Sequence, residues 1–244
     1  MKYKTEFSFN KAIIVDANML SEMQKVILEY CDNIEYRAYL ENRDKIEFES
    51  LDELLEFENS KRNRINEIYI EARDKDWVNK IEINIRAYSL YVKMFEETVS
   101  VAMTTDDVDK KTVFKDKMEN LFERYQQNKG YNLMAKSGVL NILEMIYLVC
   151  SVAYLYLFVA KGFEKMVSWF AFLVLVLAFF SLVLRKPLQK CQKKYYPPIV
   201  FCLGDGIEEY SENKNGRRNF FWGVIVAGIM SVVFLIAGYL LPHL

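Results

Sequence analysis

The sequence predicts an α+β domain on a mainly antiparallel sheet, in the order β-α-β-β-α-β-β-β-α, followed by three transmembrane helices. Three observations predict it. Short runs within residues 2–103 alternate apolar and polar side chains, as half-buried strands do, and are broken by helical spacings. Three long apolar runs follow, at 139–160, 167–184 and 220–241. Charge divides at the same place: residues 1–138 hold 22 Lys and Arg against 27 Asp and Glu, net −5, and residues 139–244 hold 10 against 6, net +4. The mean hydropathy of −0.02 therefore averages two unlike halves.

The first strand is KYKTEFSF (2–9), with Tyr3, Thr5, Phe7 and Phe9 on one face. Met19, Leu20, Met23, Val26, Ile27 and Tyr30 then recur at helical spacing. NIEYRAYL (33–40) and DKIEFES (44–50) alternate around Glu41-Asn42-Arg43-Asp44, a hairpin turn. Ser50-Leu51-Asp52-Glu53 has the form of a capping box, in which hydroxyl and carboxylate each satisfy a free backbone N–H, and it opens the helix LDELLEFEN. Strands follow at 65–72, 78–87 and 97–103. Thr105, Asp106 and Asp107 open a helix whose face is Phe114, Met118, Leu121, Phe122 and Tyr125. Gly130 and Gly138, beyond it, are hinge points or an ordinary helix end. The expected boundaries are a cytoplasmic regulatory domain at 1–130, a juxtamembrane segment and transmembrane hairpin at 131–184, a basic connector at 185–219, and a third membrane helix at 220–244.

Each apolar run approaches the ~20 residues needed to cross a bilayer as a helix. The connector KGFEKM (161–166) makes the first two a tight hairpin. Eleven Lys and Arg (Arg124, Lys129, Lys136 and eight within 185–219) flank one side of the spans, against Lys161 and Lys165 on the other. This bias orients the N-terminus to the cytoplasm and the C-terminus outward, in a multi-pass membrane protein. Trp169, Trp222 and Tyr239 fall near span ends, where amphipathic rings favour the interface. The start MKYKTEFSFN lacks the apolar core of a secretory signal. Cys31, Cys150, Cys191 and Cys202 have no metal or C-x-x-C spacing and read as reduced thiols.

Catalytic motifs are absent. The only histidine is His243, which excludes histidine-based acid–base and nucleophile arrangements and histidine metal sites. There is no P-loop and no G-x-G-x-x-G; Gly204-Asp205-Gly206 is too short to cradle phosphate and reads as a turn. No cofactor, no metal and no enzymatic activity are expected.

Within the first span, Asn141, Glu144, Tyr147, Ser151 and Tyr154 keep to one helical face. A polar stripe there faces protein or water, and in a ring of copies it would line a pore with Glu144 as an acidic ring. Glu144 equally lies close enough to the span's start to snorkel to the interface or pair with Lys136. Gly223, Ala227, Ser231 and Gly238 form a small-residue stripe for close helix packing, within one subunit or between subunits of a homo-oligomer.

In the connector, Arg185, Lys186, Lys190, Lys193 and Lys194 are assigned to anionic membrane-lipid head groups. Pro197 and Pro198 stop any helix, IVFCL (199–203) is a strand that docks on the domain, and 207–218 resembles a helix. Lys61-Arg62-Asn63-Arg64 is either a phosphate-binding cluster, with Lys61, Arg62 and Arg64 as ligands helped by Lys11, or solvated surface. A net −5 domain is no general nucleic-acid binder.

FESLDELLEFENSKRNRINEIYIEARD, followed by strands and a helix, apolar spans and PPIVFCLGDG, resembles the layout of transmembrane channel effectors of bacterial anti-phage defence, including the Hailong-type membrane effector. The resemblance covers the architecture of the whole chain and rests on no ligand or catalytic motif. It implies an oligomeric ion channel of the bacterial inner (cytoplasmic) membrane whose cytoplasmic domain is gated by a nucleotide or oligonucleotide. The alternative expectation is a non-conducting membrane-anchored module that recruits a cytoplasmic protein partner.

Overall fold

A computed structural model of the chain describes residues 2–87, 98–135, 190 and 194–219. Seven strands and four helices occupy the first two stretches: β1 (Tyr3–Phe9), β2 (Ile13–Asp16), α1 (Ala17–Leu28), β3 (Asn33–Leu40), β4 (Lys45–Phe48), α2 (Leu51–Glu56), β5 (Ile65–Arg73), β6 (Lys80–Arg86), β7 (Val99–Thr105), α3 (Val108–Arg124) and α4 (Lys129–Ala135). β8 (Ile199–Cys202) and the helical residues 206–219, named α5, belong to the connector.

Six strands form one antiparallel sheet in the order β1-β7-β6-β5-β3-β4. Its register sets one apolar residue of every strand in a continuous row: Phe48, Tyr36, Ile70, Ile83, Val101, Phe7. The next row, on the opposite face, is Glu47, Arg37, Tyr69, Asn84, Ser100, Ser8. A one-residue slip would exchange the rows, so the two-residue period fixes the register. α3 packs on β1 and β7 and against α1, and buries Phe114, Met118, Leu121 and Phe122. Fully burying a side chain such as Ile83 stabilises by about 2 kcal/mol.

The polar face is tied by charge. Glu71 points to that face yet is buried, because Arg37, Arg73 and Lys80 close over its carboxylate. Burial alone would raise this carboxyl; the hydrogen bonds and charges of Arg73 and Lys80 outweigh it and hold the group below the usual carboxylate range.

Several local expectations are met with altered detail. Ser50 Oγ accepts from Glu53 N–H at 3.2 Å, and the Glu53 carboxylate accepts from Glu49 N–H at 2.8 Å, one residue earlier than a standard capping box returns. α3 is capped by Asp107, whose carboxylate accepts from Asp109 and Lys110 N–H. Thr105 is instead the buried last residue of β7. Gly130 lies inside α4, one residue past its start, where Asn128 Oδ1 accepts from Tyr131 N–H; Gly138 lies outside the described residues. β2 and α4 are additions to the expected element order, whereas β8 is the docked strand expected at 199–203.

The membrane part of the expected fold is corrected. Among the described residues no helix is long and apolar enough to cross a membrane. α3, at 17 residues, is roughly 25 Å long but carries Lys, Asp, Glu and Arg along its outer face; α1 has 12 residues, about 18 Å. What is seen is a mainly antiparallel α+β fold, without the three transmembrane helices, and the multi-pass inner-membrane placement and the channel have no described element behind them. The runs 139–160, 167–184 and 220–241 lie outside the described residues, as do the stripe of Asn141, Glu144, Tyr147, Ser151 and Tyr154 and that of Gly223, Ala227, Ser231 and Gly238.

Candidate functional site: a basic cleft under the connector

The connector returns to the domain as a strand. β8 pairs in parallel with β2, in register from Ile13 with Ile199 to Asp16 with Cys202, and Ile13 N–H donates to Pro198 O at 3.0 Å. The other edge of β2 is held by the segment after α3: Ile14 N–H donates to Tyr125 O, and Gln127 N–H to Ala12 O at 2.7 Å. IVFCL can take this place because Ile199, Phe201 and Leu203 are all buried, as an alternating strand requires.

Gly204-Asp205-Gly206 is the turn that seats it. Gly204 has φ of +47°, and a Cβ there would lie 2.7 Å from Phe57 O. A Cβ on Gly206 would lie 2.3 Å from Phe201 O and 2.8 Å from Asn59 Nδ2. The backbones are this close because buried Asn59 joins them: its Nδ2 donates to Phe201 O at 3.1 Å, across 142 residues, and its Oδ1 accepts from Ile65 N–H at 2.8 Å. The turn therefore docks the connector and is no phosphate loop.

Past the turn, α5 leads to Arg217, whose guanidinium sits 5.1 Å from the ring of Tyr131, 5.5 Å from Tyr210 and 5.9 Å from Tyr196. Arg217 Nη1 donates to Tyr195 O at 2.8 Å, and the Tyr131 hydroxyl donates to Pro197 O at 3.0 Å. Burial raises the Tyr131 hydroxyl well above the usual tyrosine value, so it stays a neutral donor. Tyr131 is the one buried side chain of α4, and it is what that helix brings to the connector.

Between the sheet domain and these connector residues lies a cleft of about 670 Å³. Its described lining includes four cations, Arg64, Lys190, Lys194 and Arg217, against two carboxylates, Glu41 and Glu209. Arg64 is hydrogen-bonded to Glu209 through Nη2, and its Nη1 lies 3.8 Å from Glu41. Among the described residues the other three cations have no carboxylate partner: Arg217 rests on rings and a carbonyl, and Lys194 lies over Tyr195. A site of net charge +2 is thus built in a protein of net charge −1.

This arrangement redistributes the expected site residues. Arg64 faces the cleft, whereas Lys61 and Arg62 are exposed and do not line it. Lys11 lies near Glu123, also away from it. Lys190 and Lys194, expected at lipid head groups, line the cleft; Arg185, Lys186 and Lys193 lie outside the described residues. Asn59, Tyr131, Glu209 and Tyr210 were not singled out by sequence. A pointer existed only for Arg217, as one of the connector's eight basic residues.

Cys202, on β8, has its thiol pushed up to about 11 by burial and by the charge of Asp16, so it is protonated at neutral pH. Among the described residues no cluster of His, Cys, Asp or Glu could hold a metal ion. No protein-family model, curated protein or solved structure matches the chain.

Proposed function

We propose that the protein is a ligand-responsive regulator whose cleft binds a phosphate-bearing ligand of the nucleotide or oligonucleotide class. The observation that carries this reading is the group of three cations, Lys190, Lys194 and Arg217, which have no carboxylate partner among the described residues and line the same cleft as Arg64. Separated cations on two walls favour a ligand with more than one anionic group. Arginine presents a planar fork to phosphate, while lysine acts as a point charge. The volume falls within the 300–1,000 Å³ range usual for small-molecule sites. Tyr210, also in the lining, offers a ring against which a base can stack. The resemblance to nucleotide-gated effectors implies the same ligand class.

Calorimetric titration of the full chain with ATP, a short oligoribonucleotide and adenosine tests the reading. ATP or the oligonucleotide binds, adenosine binds at least tenfold more weakly, and Lys194→Gln with Arg217→Gln weakens the phosphate ligand at least tenfold. Equal binding of adenosine, or indifference to the double substitution, overturns it.

A further inference from the structure

We infer that Glu209 is a built-in competitor for the cleft's anion. Its carboxylate is paired with Arg64, and a phosphate that takes Arg64 displaces it and loosens α5 from the sheet domain. The inference rests on the anion reading above and adds how the site would be regulated.

Four observations lead to it. The Arg64–Glu209 contact is, among the described residues, the one ion pair between the sheet domain and α5. Both side chains are about one-third exposed, at 35% and 30%, so a ligand in the cleft can reach the pair. Exposed pairs of this kind are weak enough to exchange partners. A carboxylate on a guanidinium also has the geometry a phosphate oxygen would adopt there, since both accept from the same N–H fork. Finally, Glu209, Asn213 and Arg217 follow at intervals of four and all line the cleft, so α5 presents them as one stripe. The ligand thus meets an acid and a cation on the same helix: it is drawn to Arg217 and must expel Glu209.

Gly204 and Gly206 are held against the backbones of Phe57 and Phe201, and Tyr210 and Arg217 keep their contacts with Gln127 and Tyr131, so the turn stays seated while α5 is loosened at Glu209. The signal sent by occupancy is the loss of one bond between two walls.

The test is a double-substitution cycle on the full chain with inorganic pyrophosphate as probe, read by calorimetry. Glu209→Gln removes the competitor and tightens pyrophosphate binding fivefold or more. Arg64→Gln weakens it, and in the Arg64→Gln background Glu209→Gln changes affinity by less than twofold. A carboxylate that merely repels the ligand would give the same tightening in both backgrounds; that result overturns the inference, as does no tightening in either. Hydrogen exchange at 207–213 in ligand-free Glu209→Gln rises above that of the unaltered protein; unchanged exchange overturns the link to α5. If neither the unaltered protein nor Glu209→Gln binds pyrophosphate, the anion reading itself falls, and the competitor with it.

Discussion

In the six-stranded sheet every pairing is antiparallel, and β3–β4, β5–β6 and β6–β7 are consecutive in the chain. In the two-stranded sheet β2 and β8 run parallel and join Ile13 to Ile199. The large sheet is stabilised by its own buried rows and by α1 and α3. The small one has four residues per strand and depends on what surrounds it: Asn59, the Gly204–Gly206 turn and the tyrosines around Arg217. The cleft lies against the small sheet, with Val200 and Phe201 in its lining. The site thus leans on the less self-sufficient sheet, together with Ile65 at the start of β5, although both sheets bury their side chains in one core. A binding site on the less self-sufficient element is free to respond to its ligand while the core stays fixed.

Three substitutions sharpen or break that division. The largest effect is expected from Phe114→Ala. This ring is fully buried and meets Tyr30 edge-on at 5.4 Å, and its removal destabilises the whole domain by about 4 kcal/mol. Thermal unfolding should shift to lower temperature, with protection lost in both sheets together; loss confined to one sheet would break the division. Gly206→Ala comes next. Its methyl group collides with Phe201 O, at a local cost of about 3 kcal/mol. Hydrogen exchange should rise at 199–203 while β5, β6 and β7 remain protected, and global unfolding in its place would show that the small sheet supports the large one. The smallest effect belongs to Asp16→Ala. Asp16 ends β2 and caps α1 by accepting from Met19 N–H at 2.8 Å, so its loss costs about 1 kcal/mol by chemical denaturation. A loss above 2 kcal/mol would mean that β2 carries weight beyond its cap.

The same contrast explains what could be read from the sequence. The strands of the large sheet announce themselves because each has one face in the core and one outside; KIEINIR, with Ile81, Ile83 and Ile85 all fully buried, is the clearest case. The capping box at Ser50 is equally local. β2 escaped notice because four residues give no period to count, and its partner lies at the far end of the chain. The cleft was legible only in fragments. Arg64 stood out in a basic cluster, but that cluster's other cations, Lys61 and Arg62, point to solvent. Lys190 and Lys194 stood out as charge beside an apolar run and were therefore given to lipid. Nothing local marks Glu209 as the partner of Arg64, since the two are 145 residues apart. The apolar runs dominate any reading of composition, yet among the described residues no helix could span a membrane.

The pairing of Ile13 with Ile199 also imposes a timetable on synthesis. Residues up to 135 can close the large sheet while the ribosome is still at work, but β2 must wait, with one edge unsatisfied, until its late partner emerges. A chain terminated before the connector would therefore lack Ile199, Phe201 and Leu203 from its core and would have no binding site. The pocket itself certifies that translation has passed Arg217.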